Sequence, residues 1–356
     1  MKLVLHIGMH KTGSTSIQKT FDNYARGGIY YLGFFNPNHS ALYPTLFMEN
    51  PEKYGAHKKN NRSMAEVEEL KARFSKKIET FIDGLPDDAT VVSSAEDLIM
   101  LKASELKALK AWAEKRFSQI HVIGYVRPPA SLMTSSIQQR IVGGVKSQFS
   151  DLYPRYRQKF ERFDDVFGRE NVELVKFDKA SLMHGDVVRD FAARIGADLP
   201  PTEVETANES RSLETTAVLY AQRALGRGWM KYPGSPRDNN TLVSRLKSLG
   251  GGKIVLDPDV MAEILAEQAD DLDWITERLG GDFSDVGKKA PAEGQALIGK
   301  ADDFLSIAAG KLPEVLDLIK AEAANREVDP QIVANAVDML LDVIRDKRAT
   351  QARRRK

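Results

Sequence analysis

Short apolar runs rich in β-branched residues alternate along the chain with stretches whose apolar positions recur at helical spacing. That pattern marks an α/β fold on a central, mainly parallel sheet. The runs predict strands over Lys2–Ile7, Ile29–Phe34, Thr90–Ser93, Ile120–Val126 and Val172–Phe177. Between them, Val67, Leu70, Phe74, Ile78 and Phe81 share one face of a helix that starts at Ser63, with Glu66 completing a capping box, and ends near Gly84-Leu85-Pro86. A second helix is expected from Ser104 to about Phe117, with Leu106, Leu109, Ala113 and Phe117 inward, and a third over Asp186–Ile195.

After Pro200-Pro201 the pattern becomes mainly helical. Trp229–Asn240, with Pro233, Gly234 and Pro236, reads as a loop, and Gly250-Gly251-Gly252-Lys253 as a flexible segment before an amphipathic helix over Asp259–Leu279. Ala290–Gly294 looks like a linker. The expected organisation is an α/β domain over 1–285, a small helical C-terminal appendage over 295–346 and a basic tail over 350–356, with no internal repeat.

Composition narrows the partners. A chain of 356 residues can bury one large core. Its 51 basic and 50 acidic side chains nearly cancel, so no overall field steers it to nucleic acid or an anionic membrane, and any anion site must be local. The absence of cysteine removes disulfides, thiolate metal sites and a cysteine nucleophile, and fits a reducing compartment. No segment approaches the roughly 20 apolar residues of a membrane span, and Met1–Ile7 is too short for a signal-peptide core. A soluble, cytoplasmic protein is expected. His, Asp and Glu show no tight metal-ligand spacing, so no catalytic metal is expected either.

In an open parallel sheet, ligands bind beyond the carboxyl ends of the strands. Polar groups gather at those ends: the loop around Lys11 after the first strand, Asn36–His39 after the second, Ser93-Ser94-Ala95-Glu96 after the third, and Arg127 at the end of the fourth. The first loop, Gly8-Met9-His10-Lys11-Thr12-Gly13-Ser14-Thr15-Ser16, keeps the glycine spacing of an NTPase phosphate loop but has Ser14 where that motif needs lysine. Strand, tight turn and helix N-terminus still form an anion site.

The order Lys11-Thr12-Gly13-Ser14-Thr15-Ser16 after a short strand resembles the 5'-phosphosulfate loop of sulfotransferases that use 3'-phosphoadenosine 5'-phosphosulfate (PAPS), of the bacterial type. Their second element is a strand ending in arginine, with proline two residues on and serine eight residues on, which binds the 3'-phosphate. Arg127, Pro129 and Ser135 have that arrangement, while Ala130 and Ser136 depart from the common pattern of a basic and an aromatic residue. The resemblance spans roughly 1–285, with its specific motifs in these two loops. It implies a P-loop-like, three-layer α/β enzyme that moves a sulfuryl group from PAPS to an acceptor hydroxyl, on a carbohydrate or glycoconjugate, and releases adenosine 3',5'-bisphosphate.

On this reading Lys11 offsets charge on the leaving phosphate, and His10, Thr12, Gly13, Ser14, Thr15 and Ser16 line the cofactor with it. Arg127 and Ser135 take the 3'-phosphate. Family members commonly place a histidine or glutamate base past the second strand, which makes His39 the first candidate, with an unperturbed pKa of roughly 6.5. Glu96 is the rival, because Ser-Ser-x-Glu after a short strand recurs in bacterial members. Blander roles remain open: a turn cap for His39 and a first-turn acid for Glu96. Lys253 could reach the 3'-phosphate, and Lys58, Lys59, Arg62, Arg140, Lys146, Arg155 and Arg157 could line a basic cleft or simply form solvated faces. The alternatives to a sulfotransferase are a divergent phosphate-loop nucleotide kinase or NTPase, and a nucleotide-binding module without catalysis.

Overall fold

The computed structural model describes residues 1–9, 11–144, 150–205, 211–228, 235–285, 295–319, 331, 333–339 and 341–342. Among these, the main sheet comprises β1 (Lys2–His6), β2 (Ala25–Arg26), β3 (Ile29–Tyr31), β4 (Thr90–Ser94), β5 (Gln119–Val126) and β6 (Val172–Lys176), in the spatial order β2-β3-β4-β1-β5-β6. Only β2 runs antiparallel to its neighbour. β1 is central, with His6 opposite Ser94 of β4 on one side and Ile123 of β5 on the other.

Successive residues of β1 point to opposite faces and find helices on both. Val4 joins Ile17 and Phe21 of the helix Ser14–Phe21, and Val187, Val188 and Phe191 of the helix Val187–Ile195, in one buried cluster. Leu3 lines a small apolar void on the other face with Tyr43, Phe47, Ile78, Val91 and Trp112, from the helices Leu42–Phe47, Met64–Asp83 and Ala103–Ala113 and from β4. The chain therefore leaves β1 towards one face and β4 towards the other. Neighbouring parallel strands whose connections diverge in this way open a crevice at their carboxyl ends.

The predicted strands appear with ends shifted by a residue or so, apart from the second. β3 stops at Tyr31, although Leu32 N–H still donates to Val92 O at 2.8 Å. At Gly33 the ring of Phe81 comes so close that a Cβ would lie 2.7 Å from it, and the chain turns away. The capping box at Ser63 is present and opens the helix Met64–Asp83, which buries Val67, Phe74, Ile78 and Ile82.

Contacts divide the chain into two units, each assembled from separate segments. The first is Met1–Pro128, Arg155–Asn208 and Ala269–Phe283, and holds the main sheet. The second is Pro129–Pro154, Glu209–Gln268 and Ser284–Lys356. In it, β7 (Val255–Leu256) pairs in parallel with β8 (Leu297–Ile298). The helix Leu213–Ala224 is its hub: Tyr220 donates to Asp302 at 2.8 Å, and Gln222 donates to the buried Asp338 at 2.6 Å. This division differs from the boundary expected between 285 and 295, since 295–319 and 333–342 share a unit with 129–154 and 211–268. The helix expected over Asp259–Leu279 is two helices, Pro258–Glu267 and Ala269–Leu279, and the break at Gln268 falls on a boundary between units. No helix among the described residues is long and apolar enough to cross a membrane. The tail over 350–356 and residues 229–234 lie outside the described residues. The rest of the loop expected over Trp229–Asn240 is instead the start of a helix, Ser235–Arg245, because Pro236 sits in the first turn, where its missing N–H costs no helical hydrogen bond.

Candidate functional site

The loop after β1 is shaped by its own backbone. Thr12 Oγ1 donates to Met9 O at 2.6 Å and staples the turn from inside. Gly13 has φ 78°, a left-handed conformation that costs an L-residue about 1–2 kcal/mol. A Cβ there would also stand 2.5 Å from Val187 Cγ1, so the position requires glycine twice over. Lys11 adopts φ 69° with a side chain present. Such strain is held by surrounding structure and is common at ligand sites. Gly13 is also the N-cap of the helix Ser14–Phe21, which has no side-chain cap and no acidic residue in its first turn. The end of its dipole is thus left to whatever the loop binds.

Several predicted site residues meet here. Arg127 Nη1 donates to Lys11 O at 2.8 Å, and its guanidinium lies 5.8 Å from the centre of the Phe177 ring. Tyr156 O–H donates to Arg127 O at 2.8 Å, which fixes the exit of β5. Ser14 and Ser16 are buried and Thr15 is exposed. His10 lies outside the described residues.

At the adjoining end of β4, Ala95 N–H donates to His6 O at 2.9 Å, and His39 N–H donates to Ser94 O at 3.0 Å. The His39 ring is fully buried, with Nδ1 2.9 Å from Ser93 Oγ and 3.3 Å from the Ser94 N–H. It packs against the rings of Tyr31 and Phe34. Burial lowers its pKa to about 3, with the Leu32 carbonyl opposing the shift. The His39 imidazole is therefore neutral and closed off from solvent, and its Nε2 is buried without a partner among the described residues. Glu96 opens the turn Glu96–Met100, is partly exposed, and its charge raises the pKa of His6 against a larger lowering by burial, which leaves His6 at about 4. Of the two candidate bases, only Glu96 reaches solvent.

His6 and Gln18, which meet Ser94 Oγ at 2.7 and 3.2 Å, were not singled out in the sequence. The visible signal was a lone histidine inside an apolar strand, a pattern that usually means a satisfied core residue. Ser135, half-buried on the helix Pro129–Val142, and the exposed Lys253 belong to the second unit. Of the basic-cleft residues, Arg62 is held against His57 Nδ1 at 2.9 Å, Arg157 pairs with Glu161 at 2.8 Å, Arg140 belongs to the second unit, and Lys146 is outside the described residues. No group of three or more His, Asp or Glu suited to a metal ion occurs among the described residues.

No protein-family model matches the chain, and no curated protein matches it. Among solved structures, the sulfotransferase domain from the curacin biosynthetic pathway is similar at 13% identity and a TM-score of 0.35, over 59% of this chain and 78% of that domain.

Proposed function

We propose that the chain is a PAPS-dependent sulfotransferase that transfers a sulfuryl group to an acceptor hydroxyl, of a carbohydrate or glycoconjugate. The observation that supports this most is the uncapped helix N-terminus behind Gly13, with Arg127 bonded to the same loop through Lys11 O. The residues fit a phosphate group: Ser14 Oγ is buried without a partner among the described residues, and the bare Cα of Gly8 leaves room that a Cβ would take from it at 2.7 Å. When bound, PAPS supplies the activated sulfuryl group and the leaving phosphate. Lys11 and the first backbone N–H groups of the helix bind and orient its 5' end, and Arg127 takes the 3'-phosphate. Ser135 is assigned there by its spacing from Arg127 alone. Glu96 accepts the acceptor's proton at a carboxylate oxygen. His39 excludes water behind it and holds the ends of β3 and β4 together.

Binding and transfer separate the readings. Adenosine 3',5'-bisphosphate at about 100 times its Kd should add about 2.7 kcal/mol of stability, and Lys11→Ala and Arg127→Ala should both reduce that protection. Glu96→Gln should keep the protection and lose transfer of labelled sulfate by about 10² to 10⁴-fold, while His39→Gln loses less. Better protection by magnesium-ATP would point to a kinase or NTPase instead. Nucleotide protection without transfer to any glycan acceptor would point to a binding module.

A further inference from the structure

Neither strand packing nor the proposed reaction explains His6. Its imidazole is fully buried, with Nδ1 2.7 Å from Ser94 Oγ, and Nε2 has no partner among the described residues. Ser14 Oγ, which opens the helix after the loop, is also buried and unpartnered. Both atoms border the same bare carbon: a Cβ on Gly8 would lie 2.7 Å from Ser14 Oγ and 2.9 Å from His6 Nε2. Two buried polar atoms without partners, both beside Gly8 in an anion loop, suit hydrogen bonding to a bound oxyanion.

The hydrogen bonds behind His6 are compatible with a proton on Nε2. Gln18 Nε2 donates to Ser94 Oγ at 3.2 Å, which leaves the Ser94 hydroxyl proton to be given away. The Tyr31 oxygen and His6 Nδ1 both border that hydroxyl, and the His6 contact is a short 2.7 Å. A proton accepted at Nδ1 places the imidazole N–H at Nε2, towards Gly8 and Ser14. The His6 carbonyl meanwhile accepts from Ala95 N–H at 2.9 Å. One residue thus touches the floor of the loop with one side-chain nitrogen and the exit of β4, from which Glu96 departs, with the other nitrogen and its backbone.

We propose that His6 is a positioning residue: its Nε2–H and the Ser14 hydroxyl fix one oxygen of the bound phosphate at the loop floor, while Nδ1, through Ser94, holds the Glu96 turn in register with that loop. This rests on the reading of the loop as a phosphosulfate site. Glutamine places an amide near the Nε2 position and asparagine near Nδ1, so the two replacements separate the two nitrogens.

The test measures melting shifts with adenosine 3',5'-bisphosphate and with inorganic pyrophosphate. His6→Gln should bind both probes within about 3-fold of wild type, whereas His6→Asn and Ser14→Ala should each weaken binding about 10-fold, one charge-assisted hydrogen bond. The double variant should lose less than the two single effects combined, because both groups hold one oxygen. Equal binding by His6→Asn and wild type, or equal losses for His6→Gln and His6→Asn, overturns the proposal. Imidazole nitrogen NMR on the wild-type protein gives a readout that needs no variant to fold: the proton should sit on Nε2, and its signal should move when either probe is added. A proton on Nδ1, or an Nε2 signal indifferent to a probe that binds, overturns it. If pyrophosphate binds and the bisphosphate nucleotide does not, the cofactor reading fails and His6 is judged on pyrophosphate. If wild type binds neither, the loop is no anion site and the role of His6 falls with it.

Discussion

Two buried histidines tie the site to acidity. Burial lowers His6 to about 4 and His39 to about 3, from 6.5. In the unfolded chain each takes a proton near 6.5, and in the folded chain only at its depressed value. The unfolded state therefore holds more protons within that window, and stability falls as the pH falls, by about 1.4 kcal/mol per pH unit for each group. Above about pH 6.5 the contribution is complete and constant. Denaturant midpoints measured from pH 7.5 down to 5 should fall steeply, and His6→Gln or His39→Gln should each remove about one proton from the slope. A flat profile in wild type would mean that both rings are solvated. The burial of His39 was not legible in the sequence, because Asn36-Pro37-Asn38-His39 reads as a turn. The turn folds back under Ser94, and contacts between β3, β4 and the Phe34 ring bury a side chain that local pattern leaves exposed.

At the scale of elements, local chemistry was legible where it is self-contained. Ser63 and Glu66 satisfy each other within one turn, with Ser63 N–H donating to Glu66 Oε2 at 2.7 Å, so their spacing alone announces the helix start. Ser63→Ala should lower stability by about 1 kcal/mol. Bisphosphate binding should stay at the wild-type level, because this helix lends the loop no side chain. A matching loss of affinity would show that the helix sets the site. The run from Asp259 to Leu279 is the counterexample. Its periodicity continues across Gln268, where neither glycine nor proline marks the break, and the cause lies in the packing of its two halves into different units. The strands and the convergence of Lys11 and Arg127 were legible because β1 and β5 are neighbours and apolar on both faces.

For the whole molecule, the sequence shows composition but not which distant segments pack together, so segments that look like one domain followed by an appendage form two units, each assembled from separate segments. The same dependence reaches the loop. Val187 Cγ1 fills the space that the missing Cβ of Gly13 leaves, and Val187 begins the helix that follows β6. The turn that looks most local in the chain is therefore completed by a residue far along it, and contacts of such separation form late. During refolding, helical signal should recover first, and the capacity to bind a fluorescent bisphosphate nucleotide should arrive in a slower phase. Valine to alanine at 187 should slow or weaken that second phase without delaying the first. Binding that returned together with the helical signal would show that Gly8–Ile17 sets itself. The chemistry of the loop would then be a property of a peptide; as the molecule is built, it is a property that the chain acquires only once nearly the whole first unit has assembled.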